Sequence, residues 1–392
     1  MSDFIVNTSV AGGQSQPCAD ALISFGLFTA LWADDADAGI KGQRVNTAGA
    51  KTGEEFLVSV AAPADGNTNR QWPFLDSVGT SSFAAWIEQP FNIPPPFPGV
   101  VLRRFLDGKP SGPTVPVSTD PVDRRFPPTV TRMIDGGCLV TWTDEGPEQR
   151  IRAQRFTPDG QKAGAEITAN TTAGFHTDAA VTLLSTGDYV IAWTNGDPVG
   201  GGGLVYRVFG FDGTPLTGEL HPNLTGFTGR TALTALDNGR FVAAHIRSAG
   251  QSDLGVPQTT ISASIIESLA GTVFVKASAG TPQHVNRSAP ALTALPGGRF
   301  VLAWVEKSAD TFQTVPTVMA QLCSDSELEI GPPVPVSSGT DIKSNRFHLS
   351  AAAVFGNGNP DSVFLSWADM ADGGDTTIRG SVLTVGPGGL SA

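Results

Sequence analysis

A ten-residue phrase that recurs along the chain constrains the fold more than any other feature. It is "GGRFVLAWVE" at residues 297–306, "DGGCLVTWTD" at 135–144 and "TGDYVIAWTN" at 186–195. Aligned on the aromatic residue near its end, the phrase occurs at spacings of 54, 56, 51, 52, 59 and 63 residues, at Trp32, Trp86, Trp142, Trp193, His245, Trp304 and Trp367. Seven such copies fill a chain of 392 residues, which indicates a repeat architecture in which each unit packs on the next.

Each repeat contains four strand-like segments separated by turn signals. In the third repeat the segments are "PPTVTRM", "CLVTWTD", "RIRAQRF" and "AEITAN", and "IDGG" and "TPDG" lie between them. Glycine and aspartate supply the backbone conformations of tight hairpins. The sequence therefore predicts an all-β fold, a seven-bladed β-propeller of four-stranded blades in a single domain. The approximate repeats are 10–60, 61–118, 119–169, 170–223, 224–277, 278–337 and 338–392.

The two ends of the chain predict how the ring closes. The last repeat has three strand-like segments and ends in "VGPGGLSA", whereas residues 4–9, "FIVNTS", resemble the fourth segment of other repeats. We therefore expect the N-terminal strand to complete the last blade. This pairing would remove an open sheet edge that otherwise favours aggregation.

Composition limits the partners and the compartment. With a net charge of −12, nucleic acid and anionic membranes are not expected as main partners. No apolar run approaches the ~18 residues of a membrane span, and no conventional leader is visible. We expect cytoplasmic residence, a leaderless secretion route or release with a larger particle. Cys18, Cys138 and Cys323 lie in or beside apolar segments and are expected in the core rather than in disulfides.

Residues 4–59 resemble the repeat unit of large bacterial secreted and cell-surface proteins. That unit has a "Gly-Phe-Val-Val-x-Trp" strand, an Asp/Gly-rich loop, a "Gly-Gln-Arg" strand and "Gly-x-Glu-Phe-x-Val-Asn". The matching segments here are "GLFTALW", "DDADAG", "GQR" and "GEEFLVS". The resemblance extends over all seven repeats and is most distinct in the first and third. It implies a bacterial or phage-related extracellular binding module and brings no catalytic motif with it.

Two polar positions recur at one end of the repeats. Two residues after the aromatic position stands an acid or amide, with Arg247 as the exception: Asp34, Glu88, Asp144, Asn195, Glu306 and Asp369. Ahead of the first strand stands Arg70, Arg125, Arg230, Arg287 or Arg346, replaced by Gln14 and His176 in repeats 1 and 4. Because the first strand begins where the second ends, we expect arginine and acid to meet. Such a pair would fix the loops of its blade, and a ligand site in each blade is the alternative.

Ligand-binding residues are expected where this pattern breaks. In repeat 5, Arg230 and Arg247 lack the carboxylate of the other repeats, which predicts a site for an anionic group. Arg124 and Arg125 belong to an arginine cluster on an acidic chain, together with Arg103, Arg104, Arg150, Arg152 and Arg155. Trp72 is off the repeat register, and we expect it, with Phe91 and Phe97 of a proline-rich loop, either to stack on sugar rings or to form a small local core.

No cofactor is expected, although two acidic segments leave calcium open. They contribute Asp34, Asp35 and Asp37, and Asp369, Asp372 and Asp375, without the spacing of an established calcium loop. The five histidines are scattered along the chain, so zinc is not indicated.

These features predict a non-catalytic propeller that binds a cell-surface polysaccharide or a receptor through the face with the long loops. It would be a lectin, or an adhesion or spike component of a bacterial surface or phage-like particle, with another protein of the assembly as a further partner. One alternative is a structural or protein-interaction scaffold. The other is a polysaccharide hydrolase or lyase with a carboxylate pair drawn from Asp34, Glu88, Asp144, Glu306 and Asp369. An enzyme is the least favoured because no catalytic motif is present.

Overall fold

The computed structural model describes residues 3–9, 11–60, 68–90, 99–118, 124–145, 148–196, 202–222, 224–251, 257–278, 285–308, 315–326, 329–338, 345–356, 361–370 and 375–391. Within these ranges the chain consists of strands, turns and two short 3-10 segments, Ile23–Phe25 and Asp237–Gly239. The strands form seven blades arranged in a ring. The predicted all-β, seven-bladed propeller is therefore confirmed.

Antiparallel sheets form the first three blades, with four strands in blade 1 and five in blades 2 and 3, where one edge position is divided into two short strands. The first strand of the chain, β1 (Phe4–Ile5), belongs to the last blade. Blade 1 contains β2 (Gln14–Leu22), β3 (Leu27–Asp34), β4 (Gly39–Asn46) and β5 (Lys51–Leu57). Blade 2 contains β6 (Thr68–Val78), β7 (Ser81–Pro90), β8 (Gly99–Leu106), β9 (Lys109–Pro110) and β10 (Val115–Pro116). Blade 3 contains β11 (Arg124–Arg125), β12 (Thr129–Arg132), β13 (Cys138–Glu145), β14 (Arg150–Phe156) and β15 (Lys162–Thr168).

The remaining blades vary more at their edges. Blade 4 contains β16 (His176–Leu183), β17 (Tyr189–Asn195) and β18 (Gly202–Phe209). Blade 5 contains β19 (Thr225–Ala235), β20 (Arg240–Gln251), β21 (Pro257–Glu267) and β22 (Val273–Ser278). Blade 6 contains β23 (Val285–Leu295), β24 (Arg299–Ser308), β25 (Thr317–Ser324) and β26 (Ile330–Pro335). Blade 7 contains β27 (Asn345–Val354), β28 (Ser362–Met370), β29 (Thr376–Gly386) and β30 (Gly389–Ser391), together with β1. Pairing of β18 with β19 joins blades 4 and 5 in one sheet.

The repeated aromatic residue lies between neighbouring blades, as its position on a nearly continuous apolar strand predicts. All six tryptophans at this position are at most 1% exposed, and so is His245, which replaces the seventh. Trp304 of blade 6 packs among Val242 and Ile261 of blade 5, and Trp367 of blade 7 packs among residues of blade 6. Each large ring thus fills the space between its own blade and the preceding one, where burial of aromatic area contributes most to packing.

The N-terminal strand closes the ring, as predicted. Phe4 lies opposite Gly380 of β29, and the Val6 amide donates a 2.7 Å hydrogen bond to the Ile378 carbonyl. The C-terminus differs from the prediction, because β30 also pairs with β29. A turn at 386–389 folds the last residues back along the same edge, so both chain ends cover the third strand of blade 7.

The structure also shows the state of the three cysteines and tests for a membrane-spanning helix. Cys18, Cys138 and Cys323 are buried and none of them forms a disulfide. In the described part of the chain, no helix has the length and apolar character required to cross a membrane.

Candidate functional site

The two ends of the ring differ in the connections they carry. At one end, here called the loop face, the first strand of each blade begins and the second strand ends. In blade 2, Arg70 near the start of β6 lies opposite Glu88 near the end of β7. The other end, the turn face, carries the short turns between first and second strands, such as that at 133–137 in blade 3. Long connections concentrate on the loop face, where binding residues of propellers are expected.

Among the side chains that the structure describes, the predicted meeting of arginine and acid is present in three blades. The guanidinium Nε and the carboxylate lie 2.9 Å apart in blades 2 and 6 and 3.4 Å apart in blade 7, in the pairs Arg70–Glu88, Arg287–Glu306 and Arg346–Asp369. We call each pair an Arg–acid clamp. The arginines are buried, so each guanidinium depends on its carboxylate and on carbonyl oxygens in place of water.

The clamp of blade 2 shows what these pairs hold together. Arg70 donates two hydrogen bonds to Glu88, of 2.9 and 3.5 Å, and a third, of 3.0 Å, to the Ala38 carbonyl of blade 1. Trp86 Nε1 donates to the same Glu88 carboxylate at 3.3 Å. Arg346 of blade 7 likewise donates to carbonyls of blade 6, those of Pro316 and Ser338. The clamp of blade 2 therefore fixes the first two strands of the blade, its tryptophan and the loop of the preceding blade.

Blade 1 replaces the arginine with a lysine from its third strand. Lys41 Nζ lies 3.1 Å from Asp34 and 3.4 Å from Glu55, and it also contacts Asp37. Burial alone would lower the pKa of Lys41, but the hydrogen bonds with Asp37 and Asp34 raise it above its usual value. The ammonium occupies the space between the carboxylates that the sequence offered as calcium ligands.

Two of the other calcium candidates, Asp369 and Asp375, have partners within the protein. Asp35 has a raised pKa because of burial and the neighbouring Asp34. Asp369 belongs to the clamp of blade 7, and Asp375 accepts a 3.0 Å hydrogen bond from the Gly12 amide. Asp372 lies outside the described residues. Among the residues that the structure describes, no three His, Cys, Asp or Glu side chains are grouped as a metal site.

The first strands share an unusual backbone feature near the loop face. Each of five blades has a bulge whose first residue is left-handed without being glycine, with φ between 51° and 57°: Gln16, Trp72, Asp178, Ala289 and His348. Such a conformation costs about 1–3 kcal/mol in a residue with a side chain. Bulges re-aim side chains and occur often beside active sites. The repeated strain marks the inner rim of the ring as a candidate functional site.

Three of these residues meet at the axis of the propeller. The Trp72 amide donates a 2.6 Å hydrogen bond to Gln16 Oε1, and the Trp72 and His348 rings meet edge to face with centroids 4.9 Å apart. His348 belongs to blade 7 and Trp72 to blade 2, so the contact passes across the inner side of blade 1. Contact between non-adjacent blades is possible only at the centre of the ring. We call Gln16, Trp72 and His348 the axial cluster.

Asp178 adds a carboxylate at the equivalent position of blade 4. It is half-buried, and Thr177 Oγ1 donates a 3.1 Å hydrogen bond to its Oδ2. Asp178 is the one acid among the five left-handed bulge residues. The inner rim therefore presents an indole, an imidazole, a carboxamide and a carboxylate.

Trp72 is not on a surface loop, as its sequence context suggested, but within β6 and half-buried at the axis. Its predicted neighbours Phe91 and Phe97 lie outside the described residues. Gln16, Asp178 and His348 were missed by sequence analysis, because a bulge interrupts the alternation of strand residues without leaving a periodic signal. The position of Trp72 off the repeat register was the only available clue.

Arg230 of blade 5 does not occupy the position that the repeat alignment gave it. Phe227, not Arg230, lies opposite Arg247, and Arg230 falls inside a bulge between Thr228 and Ala232. The bulge carries an additional residue relative to the other blades, which shifts the alignment. Arg247 is half-buried, and no hydrogen bond or ion pair joins it to another described residue.

The predicted arginine cluster of blades 2 and 3 is divided among separate partners. Arg124 and Arg125 lie opposite Glu145 and Asp144 in the sheet, and their side chains lie outside the described part of the chain. The remaining contacts include Arg103 with the Val58 carbonyl, Arg152 with Asp144 and Glu166, and Arg155 with Asp135. Most of these guanidinium groups therefore stabilise the blades.

The chain matches no family model and no curated protein by sequence. Among solved structures, it is similar to an ulvan lyase bound to -[GlcA(1-4)Rha3S]-, with a TM-score of 0.58, 12% identity and coverage of 100% of this chain and 98% of that one. A protein of unknown function from Dyadobacter fermentans gives a TM-score of 0.54 at 14% identity, covering 97% of both chains. An α-L-arabinofuranosidase from Fusarium graminearum in complex with arabinobiose gives 0.51 at 12% identity, covering 80% of this chain and 93% of that one. At these identities the similarities show the fold.

The comparisons correct one sequence-based expectation. A non-catalytic protein was predicted, yet two of these three similar propellers are enzymes that act on glycans. None of the three is described as a lectin, an adhesin or a particle component. The prediction rested on the absence of a contiguous catalytic motif. This absence does not exclude an enzyme, because a propeller can assemble a site from residues of separate blades.

Proposed function

We propose that this protein is an enzyme that cleaves a polysaccharide, with its active site at the centre of the loop face. The observation that carries the proposal is the axial cluster, in which side chains from blades 7, 1 and 2 converge at strained bulges. The similarity to two propeller enzymes that act on glycans supports it. The same similarity favours a polysaccharide as the partner and an extracellular place of action.

The residues of the inner rim have the chemistry that glycan cleavage requires. An indole such as that of Trp72 stacks on the apolar C–H face of a sugar ring. An imidazole such as that of His348 transfers protons near neutral pH, as a general acid or base. The Gln16 carboxamide hydrogen-bonds sugar hydroxyls, and the Asp178 carboxylate stabilises positive charge or accepts a proton on the far side of the ring.

The carboxylates that follow the repeated aromatic position are less suited to catalysis. Glu88, Glu306 and Asp369 are held in Arg–acid clamps, and Asp34 and Asp144 contact Lys41 and Arg152. A carboxylate whose oxygens are already bound by a neighbouring cation is less available to contact a substrate. We therefore assign proton transfer to His348 rather than to a pair drawn from these acids.

Turnover of a polysaccharide panel tests the proposal. The panel contains polygalacturonate, chondroitin sulfate, arabinan and xylan, and products are analysed by mass spectrometry and ultraviolet absorbance. Hydrolysis adds one water to the product mass, whereas elimination leaves an unsaturated, absorbing sugar. We expect His348→Gln to lower kcat about 10²- to 10⁴-fold while the fold is kept.

The Trp72→Ala variant separates sugar stacking from a structural role. Loss of a stacking platform should raise KM about 5- to 150-fold, with the melting temperature little changed. Phe25→Ala is the matched control, because Phe25 is a half-exposed aromatic on the turn face. Absence of product from every glycan, or full activity of the His348 variant, would overturn the proposed function. If Trp72→Ala instead lowers the melting temperature while each folded molecule binds glycan normally, the indole has a structural role in the core.

A further inference from the structure

Blade 5 carries a cation at the position where six other blades carry an acid or an amide. Arg247 follows His245 by two residues, as Glu88 follows Trp86 and Glu306 follows Trp304. In the clamped blades this position binds an arginine of the first strand. In blade 5 the residue opposite Arg247 is Phe227, so there is no clamp to form. The guanidinium of Arg247 therefore takes no part in an Arg–acid clamp.

The surroundings of Arg247 provide a second hydrogen-bonding group. Thr260 of β21 lies directly opposite Arg247 of β20, and side chains of opposed antiparallel residues project from the same face of a sheet. Thr260 Oγ1 is shielded from solvent and has no hydrogen-bond partner in the described structure. A buried hydroxyl without a partner is destabilising unless another group, such as a ligand oxygen, satisfies it. Because the Thr260 hydroxyl is covered, the accessible donors at this place are those of the half-buried Arg247 guanidinium.

Arg247 lies on the same face of the ring as the candidate active site, on another blade. Arg247 lies near the loop-face end of β20, and β20 and β21 continue past it as far as Gln251 and Pro257. The extended hairpin forms a raised edge of the loop face. A polymer long enough to extend from the axial cluster over the loop face would meet the top of blade 5.

We infer that the substrate is an anionic polysaccharide and that Arg247, which lies opposite Thr260, binds one of its carboxylate or sulfate groups. This inference rests on the proposed function and specifies its substrate class. Arginine binds such planar or tetrahedral anions through paired N–H donors, and half-burial strengthens the contact. The half-buried Arg247 has no acidic partner among the described residues, whereas Arg70, Arg287 and Arg346 are each paired with an acid.

The charge of the whole protein gives the site a distinctive salt dependence. Long-range repulsion from a net charge of −12 opposes the approach of an acidic polymer, whereas the contact to Arg247 is local. Added salt screens the repulsion first, because the Debye length is about 10 Å at ~0.1 M. Affinity for polygalacturonate should therefore rise as salt is first added and fall at high salt, when the local contact weakens.

The test compares Arg247→Gln with Arg240→Gln in binding and turnover of polygalacturonate, chondroitin sulfate and arabinan. Arg240 lies at the opposite end of the same strand and pairs with Glu267 and Asp325, so its substitution removes equal charge from the turn face. We expect Arg247→Gln to weaken binding of at least one acidic glycan about 10- to 100-fold and to leave arabinan unchanged. Arg240→Gln should change neither.

The outcomes separate the two claims. Turnover of neutral glycans alone, or acidic-glycan binding that Arg247→Gln leaves unaltered, overturns the anionic site and leaves the proposed enzyme standing. Equal losses in both arginine variants also overturn the site, because they indicate a general charge effect. Binding of an acidic glycan that requires Arg247 but yields no product supports the site and contradicts the proposed catalysis.

Discussion

Blade 5 and the clamped blades 2, 6 and 7 use the same place in the repeat in opposite ways. In the clamped blades, the acid after the buried tryptophan binds a buried arginine, and in blades 2 and 6 it also accepts the indole N–H. In blade 5, a buried His245 replaces the tryptophan and Arg247 replaces the acid. The Arg–acid pairs that recur in blades 2, 6 and 7 thus stabilise the ring. Arg247, which departs from this pattern, is the residue that we propose for ligand binding.

Removal of residues 1–9 should have the largest effect, because it takes the outer strand from a clamped blade. Val6 is fully buried, the Asn7 side chain accepts a 2.8 Å hydrogen bond from the Ile378 amide, and Asp3 pairs with Arg379 beside the clamp. We expect a loss on the order of 3–6 kcal/mol in unfolding free energy, measured by urea denaturation. An unchanged melting temperature would show that the clamp alone maintains blade 7.

The difference between the clamped blades and blade 5 is tested by the unfolding free energies of Arg70→Met and Arg247→Met. Removal of Arg70 leaves Glu88 and the Ala38 carbonyl without their buried donor, which should destabilise the protein by about 3–4 kcal/mol. Removal of Arg247 breaks no described pair and should change stability by less than about 0.5 kcal/mol. Equal losses in the two variants would contradict the distinction between blade 5 and the clamped blades.

A second departure from the repeat lies on the first strands of blades 1 and 2, where Asp20 and Asp76 occupy equivalent positions. Burial and the neighbouring Asp76 carboxylate raise the pKa of Asp20 well above its usual value, and burial raises the pKa of Asp76 to about 6. Asp20 Oδ2 is shielded from solvent and lacks a described hydrogen-bond partner. The fold therefore favours the protonated acid.

The sign of the pH effect follows from these raised pKa values. Stability of the wild-type protein should fall as the pH rises above the unfolded pKa of about 3.8 and passes through the folded values. Asp20→Asn replaces one of these titratable carboxyl groups with a neutral amide. The free energy of unfolding of the variant should therefore exceed that of the wild type by about 1–2 kcal/mol near pH ~8 and equal it near pH ~3. Thermal unfolding across this range checks it. A variant that is less stable at high pH would refute the buried-carboxyl explanation.

The smallest expected effect comes from building a clamp into blade 5. Phe227→Arg with Arg247→Glu reproduces the register of Arg70 and Glu88. A double-mutant cycle should give a favourable coupling of about 0.5–1 kcal/mol, because the grafted pair lacks the adapted loop of a natural clamp. The double variant should also lose acidic-glycan binding. A coupling of zero would show that the clamp requires the preceding blade's carbonyls more than the ion pair.

The recurring phrase was sufficient to predict the ring, because four amphipathic strands per repeat can bury their apolar faces only against neighbouring repeats. The clamp was predicted for the same reason: antiparallel pairing brings the start of one strand to the end of the next. The alignment failed at Arg230, since one additional residue in a bulge shifts a strand without changing its apolar pattern.

The sequence by itself determined the number of blades, the closure by the N-terminal strand and the burial of the six tryptophans, all of which follow from local pattern repeated along the chain. The tertiary structure alone decided that Gln16, Trp72 and His348 meet at the axis, although 332 residues separate the first from the last. Closing a ring brings distant first strands together, and left-handed bulges set which of their side chains meet there. Neither effect leaves a periodic signal in the sequence, so the candidate site appears only in the folded chain.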